Sequence, residues 1–302
     1  VAVSDSRQIS PKVTYYSDDY VVVVWEDWPE STTSSIGVNF INQSGTLSFD
    51  TNNDIIYTLS SASSSFPRVK ANDNGAFIIW LSPDNIHNVQ KSNPANISEW
   101  NAPVTLSSGG YQEQGRLSVD NYSGGVFVTW EDDNSIAVQY IEYDGSVSYS
   151  NTIISNVDNE QFYPLVRADG NGGAFIVWAE GVLNYNGVGS MQLSSKYVLS
   201  SSSSVDVDNN VVFFEGFGGQ IEKSTTKSIS LNSNNNIIYW QDYRNGSSNP
   251  QTYGSIGGET ENFSFSKLLS NFSVQKSPEL VKVSDSQLFL GVYDNDEQVY
   301  FQ

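Results

Sequence analysis

One pattern repeats along this chain: a polar run, a short strand-like segment, an Asp/Asn/Gly turn, and an apolar segment ending in an aromatic residue. Its clearest copies run from Val119 to Trp130 (VDNYSGGVFVTW) and from Ala168 to Trp178 (ADGNGGAFIVW). The closing aromatic falls at Trp25, Trp80, Trp130, Trp178, Trp240 and Tyr293, at spacings of 48 to 62 residues. A period of this length built only from short strands requires units that stack around a shared axis, because no unit can bury its apolar strand alone.

Each unit divides into four strands. The first follows a proline in four copies, Pro11, Pro67, Pro164 and Pro278, with a glutamine three residues earlier at Gln8, Gln161 and Gln275. Proline suits a strand entrance because it has no ladder donor to lose. Gly115 and Lys227 stand at the equivalent place in the third and fifth units by sequence alignment. The Asp/Asn/Gly turn that follows tolerates the positive φ of tight hairpins. The second strand is almost continuously apolar, as a strand buried on both faces must be. A third strand carries an apolar residue followed by an amide (Val38-Asn39, Val89-Gln90, Val138-Gln139, Met191-Gln192), and a fourth is a polar edge.

The expected fold is all-β: a six-bladed β-propeller of four-stranded antiparallel blades forming one domain over residues 1–302. The blades span roughly 11–60, 67–107, 115–155, 164–214, 227–270 and 278–302. The last unit stops after a third strand, and Val1-Ala2-Val3-Ser4 matches the end of a fourth. Residues 1–7 are therefore expected to join the C-terminal blade and close the ring, which removes an open edge. The Ser-rich run Ser200 to Ser204 is read as a loop on the fourth blade.

Composition narrows the chemistry. There is no cysteine, so disulfides, thiolate metal sites and Cys nucleophiles are excluded; the one histidine, His87, excludes multi-His metal sites. The balance of 14 basic against 34 acidic residues, net −20, makes nucleic acid an unsuitable partner. Apolar runs such as Val21 to Trp25 are strand length, far below the ~20 residues of a membrane span. Direct membrane insertion is not expected. Val1 opens on a β-like segment, so a mature or excised piece is expected. Sequons at Asn42, Asn96, Asn121, Asn245, Asn262 and Asn271 match what so much Asn and Ser yields by chance.

The pattern P-x-(L/V)-x-x-D-x-x-G-G-x-x-x-x-W, best kept from Pro164 to Trp178, resembles the repeat β-propellers of large secreted or cell-surface bacterial proteins. The resemblance covers the whole chain. It implies a module of an adhesin, a secreted enzyme or an envelope assembly, with other proteins of that assembly as partners. It also implies a secreted, cell-surface or periplasmic location.

Functional candidates lie on the first strand. Counting from the proline position, cations stand one or three places on at Lys12, Arg68, Lys70, Arg116 and Arg167. They admit two readings: a site for an anionic ligand such as a uronic or sialic-type sugar, since arginine forks match carboxylates, or charge balance with Glu26, Asp27, Glu131, Asp132, Glu180, Asp242 and Asp294. The repeated Trp is core packing; Trp28 and Trp100 fall outside that series and are the sugar-stacking candidates. The Asp-rich turns lack the D-x-D-x-D spacing of a calcium loop, so turn chemistry is favoured over Ca²⁺ and no cofactor is expected. Function is read first as a non-catalytic interaction module of a secreted or envelope assembly. The alternative is a lectin-like binder of acidic glycans through the inner cations, and the third reading is a sialidase-like, glycan-cleaving enzyme.

Overall fold

In the computed structural model the chain is described at residues 7–28, 33–48, 64–93, 96–106, 112–148, 152–154, 160–181, 191–201, 211–212, 227–230, 235–242, 251–258, 267–268, 276–284, 287–293 and 299–301. The N-terminal residues 1–6, most of the Ser200–Ser204 run and the turn at Asp285-Ser286 lie outside the described residues. Among the described residues every regular element is a strand.

The described strands form six antiparallel sheets. The first holds β1 (Arg7–Ser17), β2 (Tyr20–Trp28) and β3 (Ser35–Asn42). The second holds β4 (Ser65–Asn72), β5 (Gly75–Leu81), β6 (His87–Asn93), β7 (Asn96–Trp100) and β8 (Val104–Thr105). The third holds β9 (Gln112–Val119), β10 (Val126–Asp132), β11 (Ser135–Ile141) and β12 (Thr152–Ile153). The fourth holds β13 (Gln161–Ala168), β14 (Gly173–Gly181), β15 (Met191–Leu199) and β16 (Val211–Val212). The fifth is β17 (Lys227–Ser230), β18 (Asn235–Asp242), β19 (Gln251–Gly258) and β20 (Lys267–Leu268). The sixth is β21 (Lys276–Ser284), β22 (Gln287–Tyr293) and β23 (Val299–Phe301). Two compact units divide the chain: 1–133 with 137–152, and 134–136 with 153–302.

Period-two alternation explains the core of the first unit. On β5, Ala76, Ile78 and Trp80 pack on Val22, Val24, Val38 and Phe40 of the first sheet. Their neighbours Phe77 and Ile79 point the other way, onto Val126, Val128 and Trp130 of the third. The second strand is thus apolar at every position because both its faces are covered. Trp25, Trp80, Trp130 and Trp178 are all buried.

The Asp-x-x-Gly-Gly turn proves to be half of a tertiary latch. Asp169 Oδ1 accepts the Asn171 and Gly173 amides, at 2.7 and 3.1 Å, while Oδ2 accepts the Tyr197 hydroxyl at 2.6 Å. Asp120 repeats this: its carboxylate accepts the Tyr122 and Ser123 amides and the Tyr140 hydroxyl. A Cβ on Gly173 would collide with the Tyr197 hydroxyl, and one on Gly125 would collide with the Ile141 carbonyl and meet the Tyr140 hydroxyl at 2.6 Å. The second glycine therefore makes room for a third-strand tyrosine. In the second sheet Lys91 stands at the tyrosine's register place, opposite Phe77, with its ammonium 5.9 Å from the centre of the Phe77 ring.

Candidate functional site

Each first strand enters its sheet through a bulge, and the bulge aims the residue that follows. The ladder slips between Ile9 and Lys12, between Ser65 and Arg68, and between Phe162 and Leu165. In the third sheet the slip falls opposite Thr129 to Glu131, around Gly115. The pre-proline residues Ser10, Phe66 and Tyr163 sit at φ 56°, 54° and 54°. A residue before proline favours extended backbone, so a left-handed one is strained by about 1–3 kcal/mol. Proline brings no amide to orphan within the bulge. The third sheet uses glycine instead because the His87 ring lies there: a Cβ on Gly115 would meet His87 Cε1 at 2.6 Å.

Immediately beyond the bulge, Lys12 pairs with Val24, Arg68 with Ile79 and Arg116 with Thr129, one residue before the buried Trp in each case. Because β1 packs on β4 and β4 on β9, three cations from three sheets come together. They act on one another. Burial, then the charges of Arg68 and Arg116, pull the Lys12 ammonium below its ordinary value, against the charge of Glu26. Burial, then Arg68, bring the Arg116 guanidinium down to about 10, against Glu131. Burial alone lowers Arg68, whose Nε is buried without a hydrogen-bond partner among the described residues.

The buried Glu26 is committed elsewhere. Its Oε1 accepts the Phe66 amide at 2.9 Å, and its Oε2 accepts the Trp28 indole N–H at 3.2 Å. Lys12 Nζ donates to the Pro11 carbonyl at 3.3 Å, and Arg116 Nη1 to the Gly115 carbonyl at 3.1 Å. The arrangement is a half-buried cationic cluster that can take up an anion.

The remaining predicted residues are placed as follows. Lys70 is exposed, two residues along β4 from Arg68. Arg167 is half-buried on β13 in the second unit, opposite Phe175, where burial lowers its guanidinium. Trp28 is half-buried and held by Glu26. Trp100 packs on the first unit's core, its ring 6.3 Å from Phe40. Among the described residues no group of three His, Asp or Glu is gathered as a metal site requires.

Three features escaped sequence alignment. Phe66 is exposed beside the cluster. Lys227 pairs with Tyr239, one residue before Trp240, so it occupies the cation row and not the proline place. In the sixth sheet Glu279 pairs with Gly291 and Lys276 with Tyr293, so Val292, not Tyr293, stands opposite the bulge. A missing proline in one case and an adjacent aromatic in the other hid these registers.

No protein-family model and no curated protein matches the chain. Among solved structures, an α-L-arabinanase of Penicillium chrysogenum complexed with arabinobiose is similar over 99% of this chain and 94% of its own, at 12% identity and a TM-score of 0.58. The fold is of propeller type. A prolyl endopeptidase also reaches a TM-score of 0.58, at 8% identity, over 96% of this chain but 39% of its own. An endo-arabinase of Bacteroides thetaiotaomicron is similar at a TM-score of 0.45 and 10% identity, over 78% and 92%.

The α-L-arabinanase likeness corrects the first functional reading. The expectation of a non-catalytic interaction module, and of a chain that is not an enzyme, is overturned by the arabinanase likeness over nearly the full length of both chains. That expectation leaned on the resemblance to propeller modules of surface proteins and on carboxylates too plentiful along the chain to single out a catalytic pair.

Proposed function

We propose that this chain is a carbohydrate-active protein that engages and cleaves an anionic glycan, with its six sheets as the blades of one propeller. Lys12, Arg68 and Arg116 hold the acidic groups of the glycan. The observation that carries the reading is the cluster itself: mutually repelling cations on three strand entrances, with the Arg68 Nε buried and lacking a hydrogen-bond partner. Such a group is costly until an anion arrives, and a carboxylate returns the most to a guanidinium fork. The fold likeness to an arabinanase supports carbohydrate over other anions.

Two carboxylates act on the cluster, Glu26 on Lys12 and Glu131 on Arg116. Both oxygens of Glu26 are hydrogen-bonded. We assign proton donation to the departing glycosidic oxygen to Glu131, buried on β10 and within the field of Arg116, with water supplying the hydroxyl at the anomeric carbon.

The test is incubation with acidic polysaccharides (polygalacturonate, polysialate) and neutral ones (arabinan, cellulose), with products read as new reducing ends. Cleavage of an acidic polymer that Arg68→Gln weakens and Glu131→Gln abolishes is the expected result. Equal turnover of neutral polymers, indifferent to Arg68→Gln, would refute the anionic preference. Absence of any cleavage would refute the enzymatic reading.

A further inference from the structure

Phe66 brings together observations that the cation cluster does not explain. Its ring is 64% exposed although the backbone beneath it is strained at φ 54° and fixed before Pro67. The Phe66 amide is pinned by Glu26, and the same buried carboxylate holds the Trp28 indole. One side chain of the first sheet therefore sets the position of two aromatic residues on two sheets. The bulge does not require an aromatic, since Ser10 adopts the same left-handed backbone at the matching place in the first sheet. Arg68 lies two residues beyond Phe66, and Lys12 lies within the field of both Arg68 and Glu26.

We infer that Phe66, flanked by Trp28, is the stacking platform of the glycan site, and that Glu26 is the positioning residue that holds it beside Lys12 and Arg68. The apolar face of a sugar ring lies on the exposed aromatic, while the carboxylate on the ring's edge reaches the cations. Aromatic faces offer rigid contact area at small entropic cost, and charge complementarity sets which ring edge faces inward. The charged half of this arrangement rests on the anionic-glycan reading; the aromatic half does not.

Calorimetric titration with an oligogalacturonate and its neutral methyl ester, at low and high salt, separates the two halves. Phe66→Ser, which installs the residue found at the matching bulge, should weaken binding of both probes about tenfold at either salt concentration, and Phe66→Trp should preserve it. Glu26→Gln should give the same loss of the neutral probe at either salt concentration, while at low salt the charged probe also gains from the removed Glu26 charge. Arg68→Gln should weaken only the charged probe, and only at low salt.

Unchanged affinity in Phe66→Ser with a loss in Arg68→Gln would overturn the platform and leave the anionic reading standing. Loss of both probes in Phe66→Ser with indifference in Arg68→Gln would support the platform and overturn the anionic reading. A lower melting temperature with unchanged affinity in Glu26→Gln would overturn its positioning role. Failure of the unaltered protein to bind either probe would overturn platform and reading together.

Discussion

The amide of Phe66 donates to the buried carboxylate of Glu26 at 2.9 Å, a bond between residues on adjacent sheets. It ties the entrance of one sheet to the second strand of its neighbour, and the sharing of Glu26 with Trp28 leaves little slack. Replacing Glu26 by Gln keeps the shape but turns one acceptor into a donor facing an N–H group. Stability should fall by about 1–3 kcal/mol, read from the shift in denaturant midpoint at constant slope. An unchanged midpoint would show that water replaces the bond at no cost.

Arg68 should behave in the opposite sense. Its burial lowers the guanidinium, and its Nε lacks a hydrogen-bond partner. Arg68→Met keeps the stem and removes the polar head, so the ligand-free protein should gain about 1 kcal/mol while acidic-glycan binding is lost. Thermal melts with and without oligogalacturonate check both halves. A several-kcal/mol loss in the empty protein would reveal a partner that Arg68 neutralises.

Arg116 sets an alkaline limit. Burial and Arg68 bring its guanidinium down to about 10. A depressed cationic group binds fewer protons folded than unfolded, so the empty fold gains stability as pH rises through about 10. Anion affinity runs the other way and should drop as pH passes about 10. Titrations across that range should show the full drop in the unaltered protein and a smaller one in Arg116→Gln, where only Lys12 still loses its proton.

The tyrosine latch predicts a specific pattern of rescue. Gly173→Ala should cost about 1–3 kcal/mol because the methyl collides with the Tyr197 hydroxyl. Tyr197→Phe loses the bond to Asp169 but leaves the ring above Gly173, so alone it should cost about 1 kcal/mol. Tyr197→Ser, which takes the ring away from Gly173, should recover part of the Gly173→Ala loss. Additive losses in the double mutant would show that the glycine serves the backbone and not the tyrosine.

Local order carried much of the architecture. Val22 to Trp25, Phe77 to Trp80 and Val126 to Trp130 are apolar at both parities, which only a doubly covered strand satisfies. The cation row was legible at Lys12, Arg68 and Arg116 because a proline or glycine marks the strand entrance. It was misaligned at Lys227, where neither is present at the true entrance and pairing with Tyr239 sets the register. Tyr293 was misplaced for a similar reason: the bulge around Pro278 sets Val292 in the aromatic's place.

What the chain's order of residues decides is short-ranged: which segments are strands, which turns join them, and which positions face a core. Those follow from side-chain period, proline's missing donor and the turn preferences of Asp, Asn and Gly. Tertiary packing alone decides the rest. The left-handed backbone recurs at Ser10, Phe66 and Tyr163, but only packing gives the Phe66 amide its acceptor, the Glu26 carboxylate on another sheet. The second glycine of the turn exists because a tyrosine hydroxyl from the third strand occupies its space. Lys12, Arg68 and Arg116 become one site because three strand entrances pack side by side, and the field each exerts on the next depends on distances in space, not on separation along the chain.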